Sequence, residues 1–411
     1  MKRFLDLMSP EEASQFYLKK FDGVELSSEI VPVTEALGRV ASEDVFSDQD
    51  LPQFNRSSVD GYAVIAKDTY AASDALPVYL SVIGEVKMGQ TSTDILKPGK
   101  CVLIHTGGMI PENANAVVML EDTQMTSTEE IELYRPAAFG DNIIKRAEDL
   151  IIGDIVIKKS SLIRSQEIGS LLAIGQLKVN VFKKPLFGIL STGDELVNPG
   201  DDTNPGQVRD INSYVLKSLL NKFGAETKLF GIVPDDRAQL EGKLNEAFQQ
   251  CDGVIITAGS SVSDRDMTAK VIDNLGKPGV LVHGVNIRPG KPTILAIADG
   301  KPIIGLPGNP VSAFVITNTF VKQIIRKLYR LSDLKMEAYI NAKISINIPS
   351  VAGRQDWIPV MLKYNEGQVY AEPIFYKSNL IYSLVKADGF ICISEDMTGL
   401  HVGSECKVYC I

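Results

Sequence analysis

Three loops collect the side chains best suited to chemistry. They read Thr257-Ala-Gly-Ser-Ser-Val-Ser-Asp-Arg-Asp266, Arg288-Pro-Gly-Lys-Pro292 and Leu306-Pro-Gly-Asn-Pro310, each closing an apolar run. Gly259 lets backbone N–H groups come close to a ligand, Ser260 and Ser261 offer hydroxyls, and Asp264 and Asp266 bring carboxylates to the same edge. Arg288 adds a fixed fork of donors suited to oxyanions, and Lys291 a mobile point charge. Cations that hold anions beside carboxylates that hold metals point to a phosphate ester handled with a divalent ion. Two further acids end apolar runs in the same way, Glu195 in Ser191-Thr-Gly-Asp-Glu-Leu196 and Asp235 after Pro234. A single acidic loop is usually a helix cap. Glu195, Asp235 and Asp266 converging on one rim are expected to form a site with Arg288 and Lys291 in a single crevice.

Such loops need a frame that brings their ends together. Short Val/Ile-rich runs closed by Gly, Ser and Pro read as buried parallel strands whose carboxyl ends turn into loops, the place where open α/β sheets hold ligands. Strands are predicted at 187–190, 228–233, 253–258 and 280–287, helices at 211–223, 237–250, 268–275 and 312–330, and a hairpin joins 292–298 to 302–306 around Asp299-Gly300. Either Asp210 or Asn212 can cap the first of these helices. This alternation predicts a central three-layer α/β domain over 181–330 with a mostly parallel sheet.

The flanking pieces differ. Ser9-Pro-Glu-Glu12 is a capping box that predicts a helix over 10–21; 34–41 begins another and 165–175 a third, giving a discontinuous helical domain from 1–45 plus 147–180. Between them, 46–146 carries short alternating runs separated by turns, a β-rich inserted domain. The segment 51–63 taken alone is a polar loop ending in an Asp60-Gly61 turn that feeds a strand. His105 reads as a satisfied, half-buried histidine, and the adjacent Thr106-Gly-Gly as the better ligand contact. Beyond 331 the short strands return and predict a small C-terminal β-barrel domain over 331–411.

Composition narrows the classes of function. The chain has 411 residues, 45% hydrophobic and 23% charged, enough for several domains. No apolar run reaches the length of a membrane span, and Met1-Lys-Arg-Phe-Leu-Asp lacks the apolar core of a secretory signal, so a soluble cytoplasmic protein is expected. A formal net charge of −9 argues against a nucleic-acid partner, so any basic groups must be local. The five cysteines are scattered without CxxC spacing and read as buried thiols rather than a zinc site.

The motifs taken together resemble the molybdopterin molybdenumtransferases, the MoeA and gephyrin E-domain family, along essentially the whole chain. The carriers are Phe54-Asn-Arg-Ser-Ser-Val-Asp-Gly-Tyr-Ala63, Thr106-Gly with Pro111 and Ala116-Val-Val-Met-Leu-Glu-Asp122, Ala147-Glu-Asp149, Ser191-Thr-Gly-Asp-Glu-Leu196, Pro289-Gly-Lys-Pro292 and Leu306-Pro-Gly-Asn-Pro-Val-Ser312. The resemblance implies a transferase that takes adenylylated molybdopterin and molybdate as substrates, inserts molybdenum into the dithiolene and, with Mg²⁺, releases AMP. It implies catalytic roles for Asp60, Thr106, Asp149, Glu195, Asp235 and Asp266, with Glu195, Asp235 and Asp266 holding the metal. The pocket would be lined by Gly193, Asp194, Gly259, Ser260, Ser261, Asp264, Arg288, Lys291, Pro307, Gly308, Asn309 and Pro310, with Arg354 and Ser378 from the last domain. It also implies a homodimer in which Asp60, Thr106 and Asp149 act across the subunit boundary, and as protein partners the molybdopterin adenylyltransferase and molybdoenzyme apo-proteins. The loop at 259–264 is shorter and poorer in glycine than is common in the family, Arg288 stands where many members carry lysine, and Gly284 where an upstream lysine is expected. Two other functions fit some of the pattern: an adenylyltransferase, which shares the α/β domain but not the flanking ones, and a non-catalytic binding scaffold.

Overall fold

The computed structural model describes residues 7–258, 262–331, 338–375 and 377–411, and for 262–266 the backbone alone. Its centre is a six-stranded sheet in the order Glu226–Val233, Leu186–Thr192, Gly253–Ala258, Lys301–Pro307, Ile294–Ala298, Pro278–His283. Neighbours pair in parallel up to Lys301–Pro307; Ile294–Ala298 is reversed and pairs antiparallel on both sides. Gly253–Ala258 is buried at every position, as a strand covered on both faces must be. One face packs Phe187, Ile189, Ile255 and Ile304 against Leu216, Leu220, Ile324 and Leu328; the other packs Leu190, Val254, Ile256 and Ile303 against Leu240, Leu244, Phe248 and Ile272. These are the three layers expected.

The capping box forms. Ser9 Oγ accepts from the Glu12 N–H at 3.2 Å and a Glu12 carboxylate oxygen from the Ser9 N–H at 3.1 Å, starting the helix Pro10–Leu18. The Tyr17 hydroxyl, fully buried, donates to the Ala296 carbonyl at 2.7 Å and clamps this helix over the central sheet; burial pushes its phenol up. Tyr17→Phe leaves that carbonyl short of a donor and is expected to cost about 1 kcal/mol, read as a lowered denaturant midpoint.

The second predicted helix is only the 3-10 turn Val33–Glu35. Here tertiary pairing overrides local pattern, because the chain on either side is drawn into β-structure: Ser28–Pro32 pairs with Lys178–Phe182, and Val45–Phe46 with Ile155–Ile157. The discontinuous domain is therefore less helical than expected, with Pro10–Leu18 and Ser165–Ala173 as its α-helices among the described residues. The inserted segment holds a second six-stranded sheet, in the order Ala116–Met119, Gly61–Val64, Lys100–Ile104, Val78–Val86, Glu130–Leu133, Thr123–Ser127.

Three elements of the central unit depart from the predicted bounds. The helix expected over 268–275 is Val262–Asp273, so Asp264 and Asp266 belong to its opening turns, where the helix dipole favours acids. The run at 280–287 breaks at Gly284, whose φ of +101° suits glycine; Pro278–His283 stays in the sheet, while Ile287–Arg288 leaves it. The final helix carries a π turn, Thr317–Val321, between Pro310–Ile316 and Lys322–Leu328. Within that turn Thr317 Oγ1 donates to the Ala313 carbonyl at 2.7 Å and Thr319 Oγ1 to that of Val315 at 2.9 Å, competing with the backbone ladder.

At the C-terminus, Gln355–Asn365, Gln368–Pro373, Tyr339–Ile344, Glu405–Cys410 and Gly389–Ile393 close on themselves as a five-stranded barrel. Ile287–Arg288 pairs in parallel with Gln355–Asp356 and joins the barrel to the central domain. Among the described residues no helix is long and apolar enough to cross a membrane.

Candidate active site

Four strand tips lie level on the carboxyl edge of the central sheet, since Thr192 is in register with Val233, Ser191 with Thr257 and Ala258 with Pro307. Three inter-strand gaps make this rim roughly 14 Å long. After the second strand Gly193 has φ +151°, which side-chain-bearing residues rarely adopt, and a Cβ there would stand 2.6 Å from the Glu195 carboxylate. Glu195 thus folds back over its own turn. The Asp194 carboxylate accepts from the Asp235 N–H at 3.1 Å, tying the two acidic loops together. Beneath the rim runs a buried chain of hydroxyls: Ser191 Oγ lies 2.9 Å from both Ser213 Oγ and Thr257 Oγ1, and Ser213 Oγ donates to Asp210 at 2.6 Å. Asp210 also accepts from the Ser213 N–H at 3.1 Å, bracing the first turn of the helix Asn212–Lys222, whose N-cap position is Ile211. Asn212 instead donates its side-chain amide to the Gly308 carbonyl at 2.7 Å, anchoring the Pro307–Pro310 loop.

The inner end of the rim opens into a cleft of about 820 Å³ between the central domain and the barrel. Arg288, Lys291, Arg354 and Lys377 line it against the carboxylate of Asp356. On a chain of net charge −9, this is the local excess of positive charge expected from the sequence. Gly290 carries Pro289-Gly-Lys-Pro292 close against the final helix; a Cβ there would lie 2.5 Å from Ile316 Cδ1. Asn309 donates to Ser378 Oγ at 3.0 Å and the Val311 N–H to the Ser378 carbonyl at 3.1 Å. Arg354 and Ser378 therefore stand with Arg288, Lys291 and Asn309 at one place. Gly284 is buried and donates its N–H to the Thr293 carbonyl at 2.8 Å, supporting this loop from behind.

The single crevice expected for acids and cations is instead two stations on one rim. Neither Glu195 nor Asp235 lines the cation cleft; Asp235 follows the edge strand Glu226–Val233 and Glu195 its neighbour, whereas Arg288 and Lys291 lie beyond the inner tip. Gly259, Ser260 and Ser261 fall outside the described residues, as do the side chains of Asp264 and Asp266. Among the described residues no three His, Cys, Asp or Glu side chains form a metal cluster. The described members of the expected Mg²⁺ set, Glu195 and Asp235, supply hard carboxylate oxygens from adjacent strand tips, a donor type that suits this ion.

In the inserted domain, Asp60 accepts from the Thr106 N–H at 2.8 Å and its hydroxyl at 3.3 Å, so these two expected residues do meet. His105 is half-buried and partnered as anticipated, with Nε2 at 2.9 Å from Glu85 and Nδ1 at 3.7 Å from Asp60. Asp149 is exposed at a separate spot, beside the bridge between Leu51 and Leu150. Of the thiols expected to be buried, Cys101 and Cys251 are, Cys392 and Cys406 are half-buried, and Cys410 on the last strand is exposed; burial pushes Cys101 and Cys392 up to about 12 and Cys406 to about 11.

Sequence reasoning missed Asp356, Trp357, Ser312 and Lys377 as lining residues. The signal for the first two was the charged turn Gly353-Arg-Gln-Asp-Trp357 itself, with arginine and aspartate two apart where it enters the strand Gln355–Asn365.

A central α/β sheet whose carboxyl-edge rim leads to a cation-lined cleft against a barrel is a build suited to binding an anionic small molecule. Family comparisons match the chain in three consecutive stretches: the MoeA N-terminal region (domains I and II) at 8–175, a probable molybdopterin binding domain at 188–327 and the MoeA C-terminal region (domain IV) at 341–411. A putative molybdopterin biosynthesis protein of Methanocaldococcus jannaschii is 33% identical, covering 100% of this chain and 98% of its own. The molybdopterin molybdenumtransferase of Bacillus subtilis is 32% identical over 93% of this chain and 90% of its own. The crystal structure of a molybdopterin biosynthesis MoeA protein from Pyrococcus horikoshii superposes with a TM-score of 0.84 at 33% identity, covering 98% of this chain and 100% of that one. The chain belongs to the MoeA family of molybdopterin molybdenumtransferases.

Proposed function

We propose that the protein inserts molybdenum from molybdate into adenylylated molybdopterin and releases AMP, acting in molybdenum cofactor biosynthesis. The observation that carries this reading is the division of the rim: cations collect in the cleft at one end, and Glu195 and Asp235 follow strand tips toward the other. A nucleotide-linked pterin is long enough to touch both. Arg288, Lys291 and Arg354 would take the tetrahedral oxyanion, with Ser378 and Asn309 as neutral donors. The turns at 193–195 and 307–310 would bring backbone groups against the pterin. Glu195 and Asp235, joined by Asp266, would hold Mg²⁺, which when bound neutralises pyrophosphate charge.

A homodimer accords with the exposed apolar side chains of the discontinuous domain, where Ile30, Leu37, Ile151, Ile152 and Leu177 stay in solvent. Such a pairing would let Asp60, Thr106 and Asp149 serve the partner's rim. The adenylyltransferase that supplies the substrate and the apo-enzymes that accept the product would be its transient protein partners.

Incubation with adenylylated molybdopterin, molybdate and Mg²⁺ is expected to liberate AMP and yield molybdenum-loaded pterin. Pterin binding without AMP release would identify a scaffold instead, and ATP consumption in the presence of unmodified pterin an adenylyltransferase.

A further inference from the structure

Among the described residues lining the cation cleft, Asp356 is the only carboxylate. A carboxylate in an anion site repels the ligand unless its charge is matched. Here the match is tight. Arg354 Nε donates to Asp356 Oδ1 at 2.6 Å and Nη2 to Oδ2 at 3.0 Å, a forked pair, and Ser350 Oγ adds a third bond at 3.0 Å. The Asp356 side chain is 3% exposed, while that of Arg354 is 26% exposed and reaches the cleft. On the adjoining strand Arg288 Nη1 stands 4.0 Å from Asp356 Oδ2, and Arg288 is in register with Asp356 in the parallel pairing that joins the two domains. The Asn286 side-chain amide donates to the Gly353 carbonyl and fixes the same seam.

We infer that Asp356 is a positioning residue: its buried carboxylate holds the Arg354 guanidinium flat and keeps Arg288 close, presetting two cations from different domains for one oxyanion that Asp356 itself does not touch. Two of the five N–H groups of Arg354 are engaged with Asp356, leaving three for an incoming anion in an orientation already set. A guanidinium ordered before binding loses less freedom when the ligand arrives. This inference rests on the oxyanion reading above.

The test uses the full chain with molybdate as the probe, by titration calorimetry, and with molybdate KM measured separately from the pterin KM. Asp356→Asn is expected to weaken molybdate binding about tenfold, the loss typical of one charge-assisted hydrogen bond, and to raise the molybdate KM while the pterin KM holds. In an Arg354→Gln background the same change is expected to add less than about twofold, because its effect runs through Arg354. Should Asp356→Asn fold poorly, Ser350→Ala weakens the same carboxylate's anchoring without altering charge and is expected to cost about two- to threefold in molybdate affinity. Undiminished binding in a well-folded Asp356→Asn or in Ser350→Ala, or an equal loss in both backgrounds, overturns the inference alone. A wild-type chain that binds pterin but no molybdate overturns the oxyanion reading and this inference with it.

Discussion

Glu195→Ala is expected to slow AMP release by about a hundred- to a thousandfold, the usual loss when a group that stabilises developing charge is removed. Glu195 sits at the tip of Leu186–Thr192 with its carboxylate turned back over Gly193, so its truncation vacates the rim without opening the core. The stability of the chain should hardly move. The proposed pterin contacts include Pro307–Pro310, two strands away, so pterin binding is expected to change little. Single-turnover AMP release, measured beside pterin binding, separates the two effects. Turnover within about threefold of the parent would remove Glu195 from the site.

The largest structural effect is expected at Gly61. Its strand, Gly61–Val64, runs between Lys100–Ile104 and Ala116–Met119, and a Cβ at Gly61 would lie 2.0 Å from the Val118 carbonyl oxygen and 2.9 Å from its carbon. The obstacle is backbone, which cannot rotate away as a side-chain end can. Gly61→Ala must push the paired strands away from each other and is expected to destabilise the inserted domain by about 3 kcal/mol, at the upper end for overpacking. Because Asp60 is the next residue, its bonds to Thr106 should loosen as well. Faster proteolysis within 46–146 and a lower unfolding midpoint would show this; an unchanged midpoint would mean that the strands are not packed as described.

Much of the central domain was legible because its signals are local and doubled. A run such as Gly-Val-Ile-Ile-Thr-Ala at 253–258 is apolar on both faces, which only a covered strand tolerates, and each run ends in residues that turn the chain. The rim followed from the same runs, since parallel strands bring their carboxyl ends to one edge. What remained hidden depends on distant partners. The expected helix at 34–41 yielded to pairings with residues more than a hundred positions away, and no local pattern carries that information. The meeting of Arg354, Ser378 and Asn309 requires the barrel to be docked first, so single positions could be named as binding residues but not assembled. Asp356 was passed over because, beside Arg354 in sequence, it reads as one more surface pair until its burial is seen.

The π turn at Thr317–Val321 has a meaning for the winding of the final helix. One additional residue within a turn rotates all that follows by about 100°, a full step of helical phase. With that step in place, Ile324, Ile325 and Leu328 point into the same core as Val315 and Ile316, although the two sets would fall out of step on an evenly wound rod. The chain therefore reads the length of this segment more strictly than its chemistry: an exchange of one side chain leaves the azimuth of the last turns intact, whereas dropping a residue would swing them toward solvent.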